Sequence, residues 1–176
     1  MATPTALPAT FTAGQVLTAA QQNGLRGAFR ILQVVSVFKA DTFSMTGTTY
    51  TDVTGLSVSI TPRETSSQII CMGQITTSAS TGEQVFGQLL RGATAIGNGT
   101  GGSSINAITT SGVGQSTVAM ATTPIFFVDS PATTSATTYK IQIKTGGAAA
   151  VGYINRRSND TALGGSSSLI LMEVSA

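Results

Sequence analysis

The sequence predicts an all-β protein: an antiparallel β-sandwich or jelly roll with a short N-terminal arm and helix. Thr and Ser account for 29 and 19 of the 176 residues, and the β-branched side chain of Thr favours strands. The chain also contains 20 Gly residues, many of which separate short apolar runs at turns. These runs repeat with the period of two that is typical of strands, and no helical crossover lies between them.

The first thirty residues form a predicted N-terminal segment, 1–30, that differs from the rest of the chain. Residues 1–10 contain two Pro and several small side chains, which favour an extended arm. Thr18-Ala19-Ala20-Gln21 matches a capping box, in which the Thr and Gln side chains bond the free amides at the start of a helix. The pattern predicts a helix of about two to three turns that ends at Gly24 or Gly27.

The predicted β domain, 31–176, begins with a series of short strands. Gln68 to Thr76 is nearly continuous in apolar residues, which indicates a strand in a central position. The strand that ends at Ile60 is interrupted at Gly55, and a hairpin turns at Gly92. The strands predicted in this half of the domain are 31–38, 42–46, 50–60, 68–76, 84–91 and 93–97.

The second half opens with the stretch 97–114, in which no strand is predicted and the Gly- and Ser-rich residues 98–104 are predicted to form a flexible loop. Beyond it, apolar and polar residues alternate strictly in 139–144, with Tyr139 and Ile141 on one face and Lys140 and Gln142 on the other. The many short strands separated by turn signals favour a sandwich, and the lack of a fixed repeat argues against a parallel β-helix. The strands predicted in this half are 115–121, 124–129, 139–144, 149–156 and 169–174.

The charge pattern predicts neither a nucleic-acid partner nor a membrane. Only 9% of the residues are charged, the net charge is +2, and Arg156-Arg157 is the longest run of basic residues. The Arg pair could bind acidic groups on a partner or a host polysaccharide, or lie solvated or between subunits at a strand end. No stretch approaches the roughly 20 apolar residues of a membrane span, and the N-terminus lacks the order of a signal peptide.

The side chains of most catalytic and metal sites are missing from the sequence. The chain has no His and a single Cys, so nucleophilic triads and a structural zinc site are excluded, and Cys71 is predicted to be a buried core thiol. Gly97-x-Gly99-x-x-Gly102 matches a dinucleotide-binding pattern but lacks its strand-turn-helix context. The Asn-x-Thr patterns at Asn98 and Asn159 are expected by chance in so Thr-rich a chain. We therefore predict no cofactor, no metal and no catalytic residue.

One catalytic alternative remains, because hydrolysis of glycans needs only two carboxylates. Most of the acidic residues lie beside turns, where such side chains commonly bond their own backbone. Aromatic platforms for sugar rings are also few, with no Trp and three Tyr. The acids available for such a pair are Asp41, Asp52, Glu64, Glu83, Asp129, Asp160 and Glu173.

Several segments resemble structural proteins of tailed bacteriophages, in particular those of cyanobacterial and other aquatic hosts. Residues 11–20, FTAGQVLTAA, resemble a lead-in near the start of phage fibre and virion proteins, and 41–62 resemble a Thr-rich opening of their β-sandwich modules. Residues 91–97 and 128–145 extend the resemblance over most of the chain from residue 11 onward. It is specific for a surface module of the virion and does not distinguish which part of the virion carries it.

This resemblance implies a structural role rather than an enzymatic one. In the family, such modules occur as trimeric cement proteins on capsids and as distal domains of tail spikes and fibres. With one module and a short arm, the chain is expected to be a homotrimeric decoration protein. It would bind the major capsid protein on the outer capsid surface through residues 1–30 and reinforce the shell, with host adhesion as a further role. The alternatives are a tail-fibre or tailspike module that binds host surface polysaccharide, and a glycan-degrading enzyme.

Overall fold

The computed structural model describes residues 14, 16, 18, 19, 31–103, 105–111 and 119–175, which contain eleven strands. Apart from the four single positions, the predicted arm and helix of residues 1–30 lie outside the described residues. A short 3-10 turn, Ser80–Gly82, follows the fourth strand. The strands are β1 (Ile31–Lys39), β2 (Phe43–Thr46), β3 (Thr51–Ile60), β4 (Gln68–Ala79), β5 (Val85–Arg91), β6 (Thr94–Ile96), β7 (Thr109–Ser111), β8 (Ala121–Asp129), β9 (Thr137–Thr145), β10 (Val151–Ile154) and β11 (Ser167–Val174).

Strand β4 is the centre of a six-stranded antiparallel sheet. Along one edge it pairs with β11 through residues 68–74 and with β10 through residues 77–79. Along the other edge it pairs with β8. Because β1 pairs with β11 and β2 with β10, the order across the sheet is β8-β4-β11-β1, with β10 and β2 in line with β11 and β1. The prediction of a central strand at 68–76 is confirmed.

The second sheet has five strands. Three of them lie in the order β3-β9-β5, and β6 and β7 lie end to end along the far edge of β5. The predicted hairpin is confirmed: β5 turns into β6 at Gly92, whose φ of +60° favours Gly. Strand β3 continues through Gly55, but its register against β9 shifts between Asp52 and Ser57. The interruption that the sequence predicts at Gly55 (φ +81°) is therefore a bulge within one strand.

The two sheets pack face to face, so the predicted antiparallel sandwich is confirmed. The alternation predicted for β9 is also confirmed, because Tyr139, Ile141 and Ile143 are fully buried while the residues between them face outward. Leu169 and Leu171 of β11 oppose them from the other sheet as part of the same core cluster. Each such fully buried apolar side chain contributes roughly 1.5–3 kcal/mol. Cys71 lies in this core as a free thiol, as predicted.

A single buried side chain, Asn155, joins the places where β10 and β11 leave the edge of β4. Its amide nitrogen Nδ2 donates to the carbonyl oxygens of Lys39 (2.8 Å) and Asp41 (3.0 Å), between β1 and β2. Its Oδ1 accepts from the Ser167 hydroxyl at 2.7 Å, at the start of β11. The residue has a φ of +60°, which Asn tolerates better than most side chains. Through these three hydrogen bonds Asn155 connects the end of β10 to the end of β1 and to the start of β11, and we refer to this region as the junction.

The sequence prediction is wrong in two places in the second half. The stretch 97–114, in which no strand was predicted, contains β7, whose three residues pair with β5. Two strands were expected at 115–121 and 124–129, whereas one strand, β8, runs from Ala121 through Pro124; residues 115–118 lie outside the described part. Pro124 is accommodated because β8 is an edge strand, which pairs only with β4 in the part of the chain described, and an edge strand tolerates a missing N–H.

Candidate interaction surfaces

The acidic side chains lie on different elements, and six of the seven, all except Glu83, are engaged in hydrogen bonds or ion pairs with other described residues. Four of them form ion pairs: Asp41 with Lys39, Asp52 with Lys140, Asp129 with Arg91 and Asp160 with Arg157. The pKa values of three of these acids, Asp41, Asp52 and Asp160, lie below the ordinary value because the paired cation donates a hydrogen bond to each. A glycosidase acid needs a raised pKa, so these carboxylates are unsuited to donating a proton.

Two further acids, Glu173 and Glu64, are also engaged in hydrogen bonds within the protein. Burial alone would raise the pKa of Glu173, but hydrogen bonds from Gln33 Nε2 (2.6 Å) and the Arg63 amide (2.7 Å) bring it below the ordinary value. Glu64 is exposed and lies 3.5 Å from the Ser66 hydroxyl. Among the described residues, no three Cys, Asp or Glu side chains come together to hold a metal ion. In the same part of the chain, no helix is long and apolar enough to cross a membrane.

A buried polar cluster ties the two sheets together at one end. The Tyr139 hydroxyl donates to Asp129 Oδ2 at 2.6 Å, and Arg91 Nη1 donates to both oxygens of the same carboxylate at 2.8 and 3.0 Å. Burial and the bond to Asp129 raise the pKa of Tyr139 well above its ordinary value, so the hydroxyl remains a donor. Burial, with a contribution from the Asp129 charge, raises the pKa of Cys71 to about 12. That thiol is therefore inert rather than a nucleophile.

The outer face of the six-stranded sheet is apolar over four neighbouring strands, and we name it the apolar face. The cross-strand register places Val128, Ile70, Met172 and Val34 in one row from β8 to β1. The next row contains Phe126, Met72, Ile170 and Ser36. None of the side chains on this face is ionisable. The full set is Ile31, Val34, Ser36, Phe38, Gln68, Ile70, Met72, Gln74, Thr122, Pro124, Phe126, Val128, Ser168, Ile170, Met172 and Val174.

Exposure on the apolar face is greatest along its two borders. On β1, Phe38 is 69% exposed and Val34 is more than half exposed. On β8, Phe126 is 65% exposed and Val128 is more than half exposed. Four strands spaced by about 4.8 Å, each contributing about eight residues of 3.3 Å, give a face of roughly 500 Å². A contiguous apolar patch of that size marks an interaction site in a soluble protein.

The outer face of the five-stranded sheet has the opposite character. It carries a row of polar side chains, Asp52, Gln142, Gln88 and Asn98, which we name the amide row. Gln142 Nε2 donates to Asp52 Oδ1 at 2.6 Å, Gln88 Nε2 donates to Gln142 Oε1 at 2.6 Å, and Asn98 Nδ2 donates to Gln88 Oε1 at 3.3 Å. Lys140 Nζ donates to the other Asp52 oxygen at 2.7 Å. Because an ionised carboxylate only accepts, Asp52 sets the orientation of every amide in the row.

An aromatic side chain and a cation flank the amide row. Lys144 Nζ lies 4.8 Å from the centre of the Tyr50 ring and 5.9 Å from that of Phe86. The Tyr50 hydroxyl donates to the Asn106 carbonyl oxygen at 3.0 Å, which fixes the loop after β6 against this face. Apart from Gln88, which is buried, the amide row therefore presents fixed hydrogen-bonding groups beside an aromatic ring.

The Arg156-Arg157 pair is occupied within the chain. Arg156 stacks on the Tyr153 ring, with its guanidinium carbon 4.6 Å from the ring centre. Arg157 forms a two-bond ion pair with Asp160, in which Nη2 lies 2.6 Å from Oδ2. Arg156 Nε also donates to the Arg157 carbonyl oxygen at 3.0 Å, and both side chains are only partly exposed. The interpretation as a local pair at a strand end accounts for these contacts.

Comparisons with known proteins add a likeness of fold. No family model and no curated protein matches the chain. The structure of the Gx strain of infectious bursal disease virus aligns with a TM-score of 0.43 and 16% identity, over 81% of this chain and 39% of that one. The T13 viral particle of the same virus aligns with a TM-score of 0.42 and 14% identity, over 84% of this chain and 38% of that one. This chain thus spans about two-fifths of those chains, and at these scores the likeness carries no argument about function.

Proposed function

We propose that this protein is a non-enzymatic component of a phage virion, a homotrimeric decoration protein on the outer capsid surface. The observation that carries the proposal is the apolar face, which is broad, uncharged and exposed on an otherwise well-packed sandwich. Left open to water, such a face would make the protein prone to non-specific association. A protein that works by assembly buries it in specific contacts instead. The resemblance of the sequence to virion surface modules supplies the setting.

Decoration stabilises a particle by mass action, without any chemical step. A protein that binds the assembled shell but not its separated subunits shifts the equilibrium towards the shell. The attachment segment in this proposal is 1–30, which immediately precedes β1. Ordering a free segment costs about 1–2 kcal/mol per residue, so attachment by such a segment requires a large docking surface on the major capsid protein.

The function is tested with particles from which the protein has been stripped. We expect them to release DNA at a lower temperature or under milder osmotic shock than native particles, and the added full-length protein should restore both thresholds. A variant limited to 31–176, shown by circular dichroism to be folded, should fail to restore them. Asp52→Asn serves as the matched control and should restore them fully, because no proton transfer is involved. Stripped particles that are as robust as native ones would contradict the proposal.

The amide row favours a second candidate function, binding of a host surface polysaccharide. Amides and a carboxylate in fixed orientation match the alternating donors and acceptors of sugar hydroxyls. Tyr50 adds an aromatic surface next to them. Since this face lies on the opposite side of the sandwich from the apolar face, a trimer can expose it to solvent while the apolar face is buried. Adhesion and decoration are therefore compatible in one protein.

Replacing Gln142 with alanine should weaken polysaccharide binding by about fivefold, because it removes an inner member of the amide row and roughly 1 kcal/mol of hydrogen bonding. Binding is measured by calorimetry against a panel of neutral and uronic-acid-containing bacterial polysaccharides. Gln74→Ala, an exposed Gln on the apolar face, is the matched control and should bind as the unmodified protein does. Equal binding by both variants, or no binding to any member of the panel, would exclude this candidate.

A further inference from the structure

The geometry points to a specific arrangement of the copies: we infer that the β1 border of the apolar face of one copy packs against the β8 border of the next. The contact is heterologous, which means that two different borders meet, and repeating it closes a ring. The inference deepens the proposed function and takes from it only the number of copies, three. The border pairing itself does not depend on a virion.

The apolar face supplies part of the area that such contacts need. A standard interface buries about 800 Å² on each partner, and in a ring the two border contacts of each copy share a face of roughly 500 Å² together with the edges of the border strands. Phe38 and Phe126 lie on opposite borders and are both about two-thirds exposed, so each is available to a neighbouring copy. Fully burying a Phe or Val side chain contributes about 1.5–3 kcal/mol, and the borders carry several of them.

The lack of charge indicates which kind of partner covers the face. A basic or acidic partner would find no complementary group among the side chains of the apolar face. A surface of the same composition can cover the face without the desolvation of any ionised group. A second copy of this chain supplies such a surface, and it leaves the charged and amide-bearing sheet facing outward.

The strand edges explain why the borders rather than the centres meet. In the described part of the chain, β1 pairs only with β11 and β8 only with β4, and each border strand is nine residues long. Long edge strands with apolar side chains invite association with another chain unless something covers them. In a ring, every β1 edge and every β8 edge is covered at once, whereas a twofold dimer that joins like borders leaves one kind of border open.

Cross-linking tests the border pairing directly. Val34 and Val128 lie in the same row on opposite borders, so Val34→Cys and Val128→Cys in one chain place thiols where two copies meet. The native Cys71 is buried and does not compete for the reagent. A short bis-maleimide should convert the double variant into covalent dimers and trimers, with no product beyond three. Either single variant should remain uncross-linked, because like borders do not meet.

The matched control is Ser57→Cys with Ala95→Cys, which are exposed on the polar sheet and separated by the same number of strands. This pair should give no product. Products that stop at two, or appear with a single variant, would show like borders meeting and overturn the inference, as would a monomer in sedimentation with no product.

Products above three would support the border pairing and overturn the trimer of the proposed function. Protection of stripped particles is measured in a separate experiment. Failure of the decoration role therefore does not imply failure of the border pairing, and failure of the border pairing does not imply failure of the decoration role.

Discussion

Replacing Asn155 with alanine is expected to destabilise the protein by about 4–5 kcal/mol, the largest effect of any single polar substitution that we predict. The substitution removes three hydrogen bonds at a position that is 1% exposed. It leaves the Ser167 hydroxyl and the Lys39 carbonyl oxygen inside the protein without this partner, and a buried group left unpaired costs about 1–3 kcal/mol. Alanine also tolerates the positive φ poorly, which adds about 1 kcal/mol.

The two contributions are separated by Asn155→Gly, which loses the same hydrogen bonds without the backbone strain. Its free energy of unfolding should lie about 1 kcal/mol above that of the alanine variant. Ala132 also has a positive φ, 53°, but is exposed, so Ala132→Gly changes the backbone preference alone and should shift stability by less than about 1 kcal/mol. Stability is measured by urea unfolding at one fixed protein concentration, since association contributes to it. A loss below about 1 kcal/mol for Asn155→Ala would show that the junction does not depend on this side chain.

Replacing Asp129 with alanine is expected to cost about 3 kcal/mol of stability. The carboxylate side chain is only 7% exposed and accepts from both Tyr139 and Arg91, so its removal leaves a fully buried hydroxyl without an acceptor. Because Arg91 is one-third exposed, water partly replaces its lost partner and keeps the cost below that of a fully buried pair. The loss should appear as a lower denaturant midpoint with an unchanged slope.

A matched control is available on the polar sheet. Asp52 also accepts from one cation and one neutral side chain, Lys140 and Gln142, but its side chain is 52% exposed. Asp52→Ala should therefore cost about 0–1 kcal/mol. Adding Tyr139→Phe to Asp129→Ala removes the unpaired hydroxyl, so the double variant should lose less than the sum of the two single variants. Equal losses for the two Asp variants would mean that burial does not set the strength of this cluster.

The positions of most strands could be predicted because the relevant pattern is local. Strict alternation in 139–144 already indicates which side chains of β9 enter the core, and Gly92 indicates the turn that follows β5. The strand β7 was not predictable in this way. Its three residues, Thr-Thr-Ser, carry no apolar pattern, and they form a strand only because the edge of β5 is free to pair with them.

The apolar face left a signal in the sequence that the prediction used only in part. Runs such as residues 69–72, 125–128 and 169–172 are apolar at every position, whereas 139–144 alternates. A continuous apolar run was interpreted for β4 as a central position in the sheet. In this antiparallel sheet one side of each run enters the core and the other side forms the apolar face. The local pattern of apolar residues identifies strands that are apolar on both faces, but it does not show what covers the face that points away from the core.

The sequence by itself determined the fold class, the alternation of buried and outward residues in the strands, and the absence of His from the chain, since each depends on residue types or on neighbours a few positions apart. Only the tertiary structure decided which strands are adjacent and which side chains share a face. Val34, Ile70, Val128 and Met172 form one row although they come from four distant strands, and Asn155 bonds a carbonyl oxygen 116 residues away. Strand register over such separations is set by the joint packing of both sheets, and no local pattern encodes it.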